Sequence, residues 1–242
     1  MGPGTLPQSR DHRPVGRSLT YHLGFVAALK AEAHALGILH SNWSLEISGM
    51  GSSAAMVAAH ALVSAGCNGI VSWGVAGGLS PGLAIGDLVI PEHVQSGDHV
   101  YPADARLRER LAERFTIPVH GGTLITTDEV IRTPEKKSAL HRTHGAVAVD
   151  MESAAIAEAA AAHGIAFVAV RAISDAAGDA LPAGLAAAVD VNTGGLRAMG
   201  VARLLVTKPH QVLHLVRAGR HFNHALSSLR TAALAMGELG GT

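Results

Sequence analysis

Residues 147–179 read VAVDMESAAIAEAAAAHGIAFVAVRAISDAAGD: an apolar run, an alanine-rich stretch and a second apolar run. The runs GAVAVDM and FVAVRAIS lack the alternation of a half-exposed strand, as strands buried on both faces do, and the alanines from about Glu152 to His163 suit a helix between them. Two carboxylates interrupt the pattern. Glu152 stands where the first run turns into the helix, and Asp175 lies just past the end of the second run. An acidic residue in an apolar setting is costly unless it is paired or used. The plain alternatives are a first-turn carboxylate favoured by the helix dipole for Glu152 and a helix cap in SDAAGD for Asp175.

The same alternation extends outward. LGFVAAL reads as a strand, LEISGMG as a strand ending in glycines, and SAAMVAAHALVSAG as a helix closed by Gly66. GIVSWGVAGGL reads as a strand broken by a glycine-rich turn, and GDLVIPEHV as another strand. Residues 133–145 read as a helix with Thr133 in the cap position and Pro134 in the first turn. Buried strands separated by helices predict an α/β fold, a three-layer α/β/α sandwich with a mixed central sheet. Residues 1–22, rich in Pro, Gly and Arg, read as a disordered extension or a misplaced start; 23–190 form the α/β domain, and 191–242 a basic helical tail of the same domain. That tail carries no Asp or Glu between Val191 and Gly237. Its apolar residues recur at helical spacing, which fits either a helix lying on an anionic membrane or one packed on the core or a subunit interface.

Nineteen Lys and Arg balance nineteen Asp and Glu, which gives no case for nucleic acid as a partner. The single cysteine, Cys67, cannot form an internal disulfide and points to a reducing, cytoplasmic setting. No His, Cys and Asp cluster has ligand spacing, so neither a metal nor an organic cofactor is expected.

In open α/β sheets, ligands gather beyond the carboxyl ends of the strands. SGMGSSAA places glycines at a strand end and serines at a helix start, a cradle for an anion or sugar oxygen, or simply a tight turn capped by Ser52 or Ser53. It lacks the lysine of a P-loop and is no clean dinucleotide fingerprint. GVAGGL, with three glycines in residues 74–79, lets a ligand approach the backbone, though a plain bulge explains it as well. Glu32, in ALKAEAHAL, would be ordinary on a helix face.

Taken in order, ALKAEAHAL, SGMGSSAA, GVAGGL, GDLVIP, VDMESAAIA and VRAISDAAGD resemble the nucleoside phosphorylase and nucleosidase superfamily, nearest its methylthioadenosine/adenosylhomocysteine nucleosidase branch. The likeness covers roughly residues 23–185. ISDAAGDALP and the basic tail look closer still to the hopanoid-associated phosphorylases, which remove adenine from adenosylhopane. The resemblance implies that Glu152 binds the ribose hydroxyls, that Met151 packs against the sugar, and that a protonated Asp175 acts as general acid at purine N7. It implies Val130, Ile131, Gly77, Gly78 and Ser174 around the nucleoside, with Glu32 placing the nucleophile. Gly51, Ser52, Ser53 and Val75 would receive phosphate as co-substrate. Two departures from the family pattern stand out: Val75 replaces a serine, and Val130 replaces a phenylalanine that stacks on the purine. Loss of that aromatic face shifts affinity toward a large apolar 5′ substituent. The expectation is phosphorolysis of adenosylhopane in hopanoid biosynthesis by a cytoplasmic homodimer, with peripheral contact to the inner membrane through the tail. The alternatives are a hydrolytic methylthioadenosine/adenosylhomocysteine nucleosidase and a non-catalytic nucleoside-binding protein.

Overall fold

In the computed structural model, residues 21–37, 43–181 and 210–237 are described. Two ten-residue parallel strands, β3 (Gly69–Gly78) and β10 (Ala166–Asp175), form the spine of one mixed sheet. Strand β1 (Leu23–Ala27) runs parallel to β3 along its first half and ends opposite Trp73, with β2 (Trp43–Ile47) parallel outside it. The same edge of β3 is taken up again at Gly77 by β9 (Ala146–Asp150), now antiparallel. Beyond β9 lie β8 (Thr123–Thr126), β5 (His93–Ser96) and β6 (His99–Pro102). On its other side β10 pairs with β4 (Leu88–Val89), which pairs with β7 (Val119–His120).

Two strand readings change. GVAGGL does not break its strand: β3 runs through to Gly78, because the glycines make room for other side chains without ending the ladder. GDLVIPEHV is two strands, β4 and β5, divided at Pro91, which has no N–H for a ladder.

Among the described residues, six helices flank the sheet. α1 (Lys30–Ala35), α3 (Ala105–Ala112) and α6 (His210–Gly237) lie on one face, where Phe25, Trp43, Trp73, Leu107, Leu229 and Met236 form a common core. Phe25 and Trp43 pack with their rings tilted by 46° and centroids 4.9 Å apart. α2 (Ser52–Ser64) and α5 (Ser153–Ala162) lie on the other face over Val26, Ile70 and Phe167. Their buried faces are largely alanine, so both helices sit close to the sheet; a Cβ on Gly24 would already meet Leu62 at 3.0 Å. The arrangement is the three-layer α/β/α sandwich the alternation implies.

α4 (Pro134–His144) starts and stops where its sequence says. The Thr133 hydroxyl accepts from the Lys136 amide at 3.3 Å, Pro134 follows, and Gly145 closes the helix in the left-handed region at φ 65°. In α6, Ala225, Leu229, Ala232, Ala233 and Met236 are buried in that core and Leu215 is buried as well, so its apolar stripe is engaged by the core. No helix among the described residues is long and apolar enough to cross a membrane. The expected N-terminal extension and the segment linking β10 to α6 fall largely outside the described residues.

Candidate active site

Strands β1, β2, β3 and β10 run parallel, so their carboxyl ends converge. Glu32 in α1 just after β1, Gly51 in the turn after β2 and Asp175 at the end of β10 lie at those ends, and β9 delivers Glu152 to the same region. The centre is the window on β3 between Trp73, where β1 stops, and Gly77, where β9 begins. Backbone groups there have no strand neighbour on that edge and need another partner.

Glu32 supplies one. It is buried, 3% exposed, and not on a solvent face of α1. Its Oε1 accepts from Val75 N at 2.9 Å, and its Oε2 accepts from Leu29 N at 2.9 Å, so one carboxylate caps α1 and bridges to β3. Burial pushes the Glu32 carboxyl above its usual range, against the pull of Arg171 and the amides of Val75 and Leu29.

Glu152 occupies the cap position of α5 but makes no side-chain capping bond. Its Oε1 accepts instead from Gly51 N at 2.9 Å, across 101 residues of sequence. The second oxygen accepts no hydrogen bond among the described residues. Burial, then the neighbouring Asp150, pushes this carboxyl up to about 7, while Arg171 and the Gly51 amide pull the other way. The Ser52 hydroxyl donates to the Met151 carbonyl at 3.1 Å, so the SGMGSSAA turn is fastened to the VDMES turn and neither serine caps α2.

Beneath both glutamates lies a buried network that the sequence reading missed. Arg171 donates from Nε to Asp150 Oδ2 at 3.0 Å and from Nη2 to Ser72 Oγ at 2.7 Å and Ser153 Oγ at 3.0 Å. Asp150 Oδ1 accepts from the Thr126 hydroxyl at 2.7 Å. Arg171 Nη1 and Glu32 Oε1 converge on the space a Gly74 side chain would fill, each 2.5 Å from such a Cβ. A charged residue inside each of two apolar strands, Asp150 in VAVD and Arg171 in VAVRAIS, was the available signal.

Asp175 ends β10 and caps no helix among the described residues. Its Oδ1 accepts from the Ser174 hydroxyl at 2.9 Å, and its Oδ2 is ion-paired with the ammonium of Lys137 from α4. The protonated Asp175 that the resemblance implies is therefore met by a cation, because α4 turns Lys137 inward; nothing local distinguishes it from its neighbour Lys136. A Cβ on Gly77 would lie 3.1 Å from Asp175 Oδ2, and one on Gly78 would lie 3.1 Å from the Asp175 carbonyl. Gly74 and Gly77 thus accommodate the protein's own charged side chains, beyond any ligand approach.

Other candidates fall differently. Val130 is 38% exposed, but Ile131 turns inward and packs with Leu79, Ile125, Ala146 and Val149, so its side chain belongs to the core instead of to a ligand. The proposed phosphate cradle is altered as well, since the amides of Gly51 and Val75 already donate to Glu152 and Glu32. A cavity of about 330 Å³ touches Ser52 and Ser53, but Asp128 and Glu158 also line it, which disfavours an anion. Among the described residues no three His, Cys, Asp or Glu side chains are grouped to hold a metal.

Solved structures share this fold. A methylthioadenosine/adenosylhomocysteine nucleosidase of Helicobacter pylori superposes with a TM-score of 0.66 at 18% identity, covering 90% of this chain and 97% of its own. A futalosine hydrolase of the same organism gives 0.65 at 18% identity, covering 90% and 96%. In sequence, the 5′-methylthioadenosine/S-adenosylhomocysteine nucleosidase of Mycobacterium bovis is 31% identical over 155 residues, 47% of this chain and 61% of that relative. The matched stretch thus spans less than two thirds of that relative's length. The model of the phosphorylase superfamily matches residues 35–207, well over half of the sequence, and the chain belongs to that superfamily.

Proposed function

We infer that the chain cleaves the N-glycosidic bond of an adenosine-type nucleoside modified at the 5′ position, with water as the nucleophile. The observation that carries the choice of water is the prior engagement of Gly51 N and Val75 N by Glu152 and Glu32. Those amides are the donors a phosphate would need. Four carboxylates, from Glu32, Asp150, Glu152 and Asp175, face two cations, Arg171 and Lys137. Once Glu152 is ionised, above about pH 7, such a surplus suits a ribosyl centre gaining positive charge and opposes a phosphate dianion.

As the C1′–N9 bond breaks, its electrons pass to the purine, and Asp175 delivers a proton to N7 so that the base leaves neutral. Glu152 accepts a ribose hydroxyl with its open oxygen and places negative charge near the developing oxocarbenium ion. Glu32, held by two amides, orients a water toward C1′ and takes its proton; burial raises the affinity of its carboxylate for that proton. The hydrolytic names of the relatives lend support to water over phosphate.

The test is adenine release from methylthioadenosine and from adenosylhopane, each with and without phosphate, with the sugar product identified by mass. Free sugar formed at a rate independent of phosphate is the expected result. A ribosyl-1-phosphate formed only with phosphate present would restore the phosphorolytic reading, and saturable binding without turnover would make the chain a nucleoside-binding protein.

A further inference from the structure

α4 is a polar helix whose one buried residue is Lys137. That side chain is fully enclosed, at 0% exposure. The neighbouring Lys136 shows the usual alternative: it is 60% exposed and meets Glu129 at 3.1 Å. A lysine is an unfavourable choice for docking a helix on a core, because an apolar residue of similar volume is often neutral or stabilising in place of a buried ion pair. Lys137 makes two contacts, an ion pair with Asp175 Oδ2 and a hydrogen bond to the Ala176 carbonyl at 2.7 Å. Both lie at the turn that carries the base-facing carboxylate. The other charged groups at this turn are Asp179, which accepts from Ala176 N at 3.0 Å, and its α6 partners Arg217 and His221. None of these has a hydrogen bond or ion pair with Asp175.

We propose that Lys137 supplies the proton that Asp175 passes to the departing purine. The inference rests on the reading of Asp175 as the group acting at N7. In the resting pair the proton sits on the Lys137 ammonium and Asp175 is a carboxylate. As the C1′–N9 electrons move into the purine, a proton passes from Nζ to Oδ2 and one from Asp175 to N7. This leaves a neutral amine, a carboxylate and a neutral purine. Water adds to the ribosyl cation and gives up its proton to Glu32; when product leaves, Glu32 returns that proton to solvent and solvent restores the ammonium through Asp175. Charge and protons balance over the cycle, and no further reactant is required. Lys137 acts through Asp175 and does not touch substrate, so it is a positioning residue with a transferable proton.

The experiment measures kcat and KM for adenine release from methylthioadenosine in the wild-type chain, Lys137→Gln, Lys137→Met and Lys137→Arg, with a melting curve for each. Glutamine still donates a hydrogen bond to Asp175 but has no proton to give, which separates supply from packing. The expected result is a loss of kcat of about 100-fold or more in both K137Q and K137M, taken per folded molecule, with KM within about threefold; melting temperatures should fall in both, because Asp175 loses its buried counter-charge. K137R, which keeps a charged donor but holds its protons far more tightly, should recover less than a tenth of the lost rate. Wild-type kcat in K137Q, or a rate loss that tracks lost folded protein, overturns the proposal while leaving the nucleosidase reading in place. A folded wild-type chain that releases no adenine overturns both.

Discussion

Glu32 and Val75, 43 residues apart, are joined by a 2.9 Å hydrogen bond from a strand amide to a buried carboxylate. The bond fixes where the carboxylate points. Replacing Glu32 by Gln keeps an acceptor for one amide but removes the charge. Turnover is expected to fall about 100-fold or more with little change in KM. Glu32→Ala should in addition lower stability by about 1–3 kcal/mol for each amide left without a partner. Steady-state kinetics beside urea unfolding would separate the two effects, and full activity in E32Q would remove Glu32 from the nucleophile's path.

Gly74 stands where Arg171 and Glu32 meet. A methyl group there would come within 2.5 Å of both, and neither can swing away without giving up buried hydrogen bonds. Gly74→Ala should destabilise the fold by about 1–3 kcal/mol and abolish most activity. Unfolding curves and turnover measured on the same preparation check this. A variant that stays stable and active would mean the two side chains are freer than their contacts indicate.

Arg171 is held by Asp150, Ser72 and Ser153, all buried. Removing one partner of such a pair leaves the other charge without compensation, so Arg171→Met is expected to cost about 3–5 kcal/mol. The double variant Arg171→Met with Asp150→Leu should recover part of that loss. Stability without recovered activity would identify the pair as a support for Glu32 and Glu152.

The state of Glu152 makes stability depend on pH. In the folded chain its carboxyl holds a proton up to about pH 7, against an ordinary value of 4.5. Between those values the folded state binds more protons than the unfolded one, so stability falls as pH rises and levels off above the higher value. Glu32, raised by burial, acts in the same direction. Melting temperature should therefore drop between about pH 5 and about pH 8, and Glu152→Gln should flatten much of the decline. An undiminished slope in that variant would place its origin in other groups.

Leu229 of α6 is fully buried against the sheet. Leu229→Ala should cost about 2–5 kcal/mol, as expected for a core position. A negligible effect on thermal unfolding would free the helix for another surface.

The fold was readable because its signals are local. Thr133, Pro134 and Gly145 mark the ends of α4 by chemistry that acts over four residues, and the alternation around residues 147–174 defines a strand, a helix and a strand. The site was readable only in part. Glu152 and Asp175 stand out because they disturb apolar runs, whereas Glu32 is set apart from an ordinary helix residue only by a strand 43 residues away. Lys137 gives no sign in PEKKSALHRTH, since a rotation of about 100° decides which of the two adjacent lysines turns inward. The glycines of GVAGGL suggested a turn because absent side chains look alike in sequence. Only the packing distinguishes room for a bend from room for Arg171, Glu32 and Asp175.

The exchange of neighbours along β3 has an evolutionary reading. β1 leaves that edge at Trp73 and β9 joins at Gly77, so three residues stay uncovered. The candidate centre is therefore a gap in a ladder, and its width is set by where β1 and β9 end. Extending β1 by three residues would close the opening while leaving every acidic side chain encoded. Relatives could thus lose catalysis through a small shift in where one strand ends, and could change substrates by rewriting loops around an opening of fixed size.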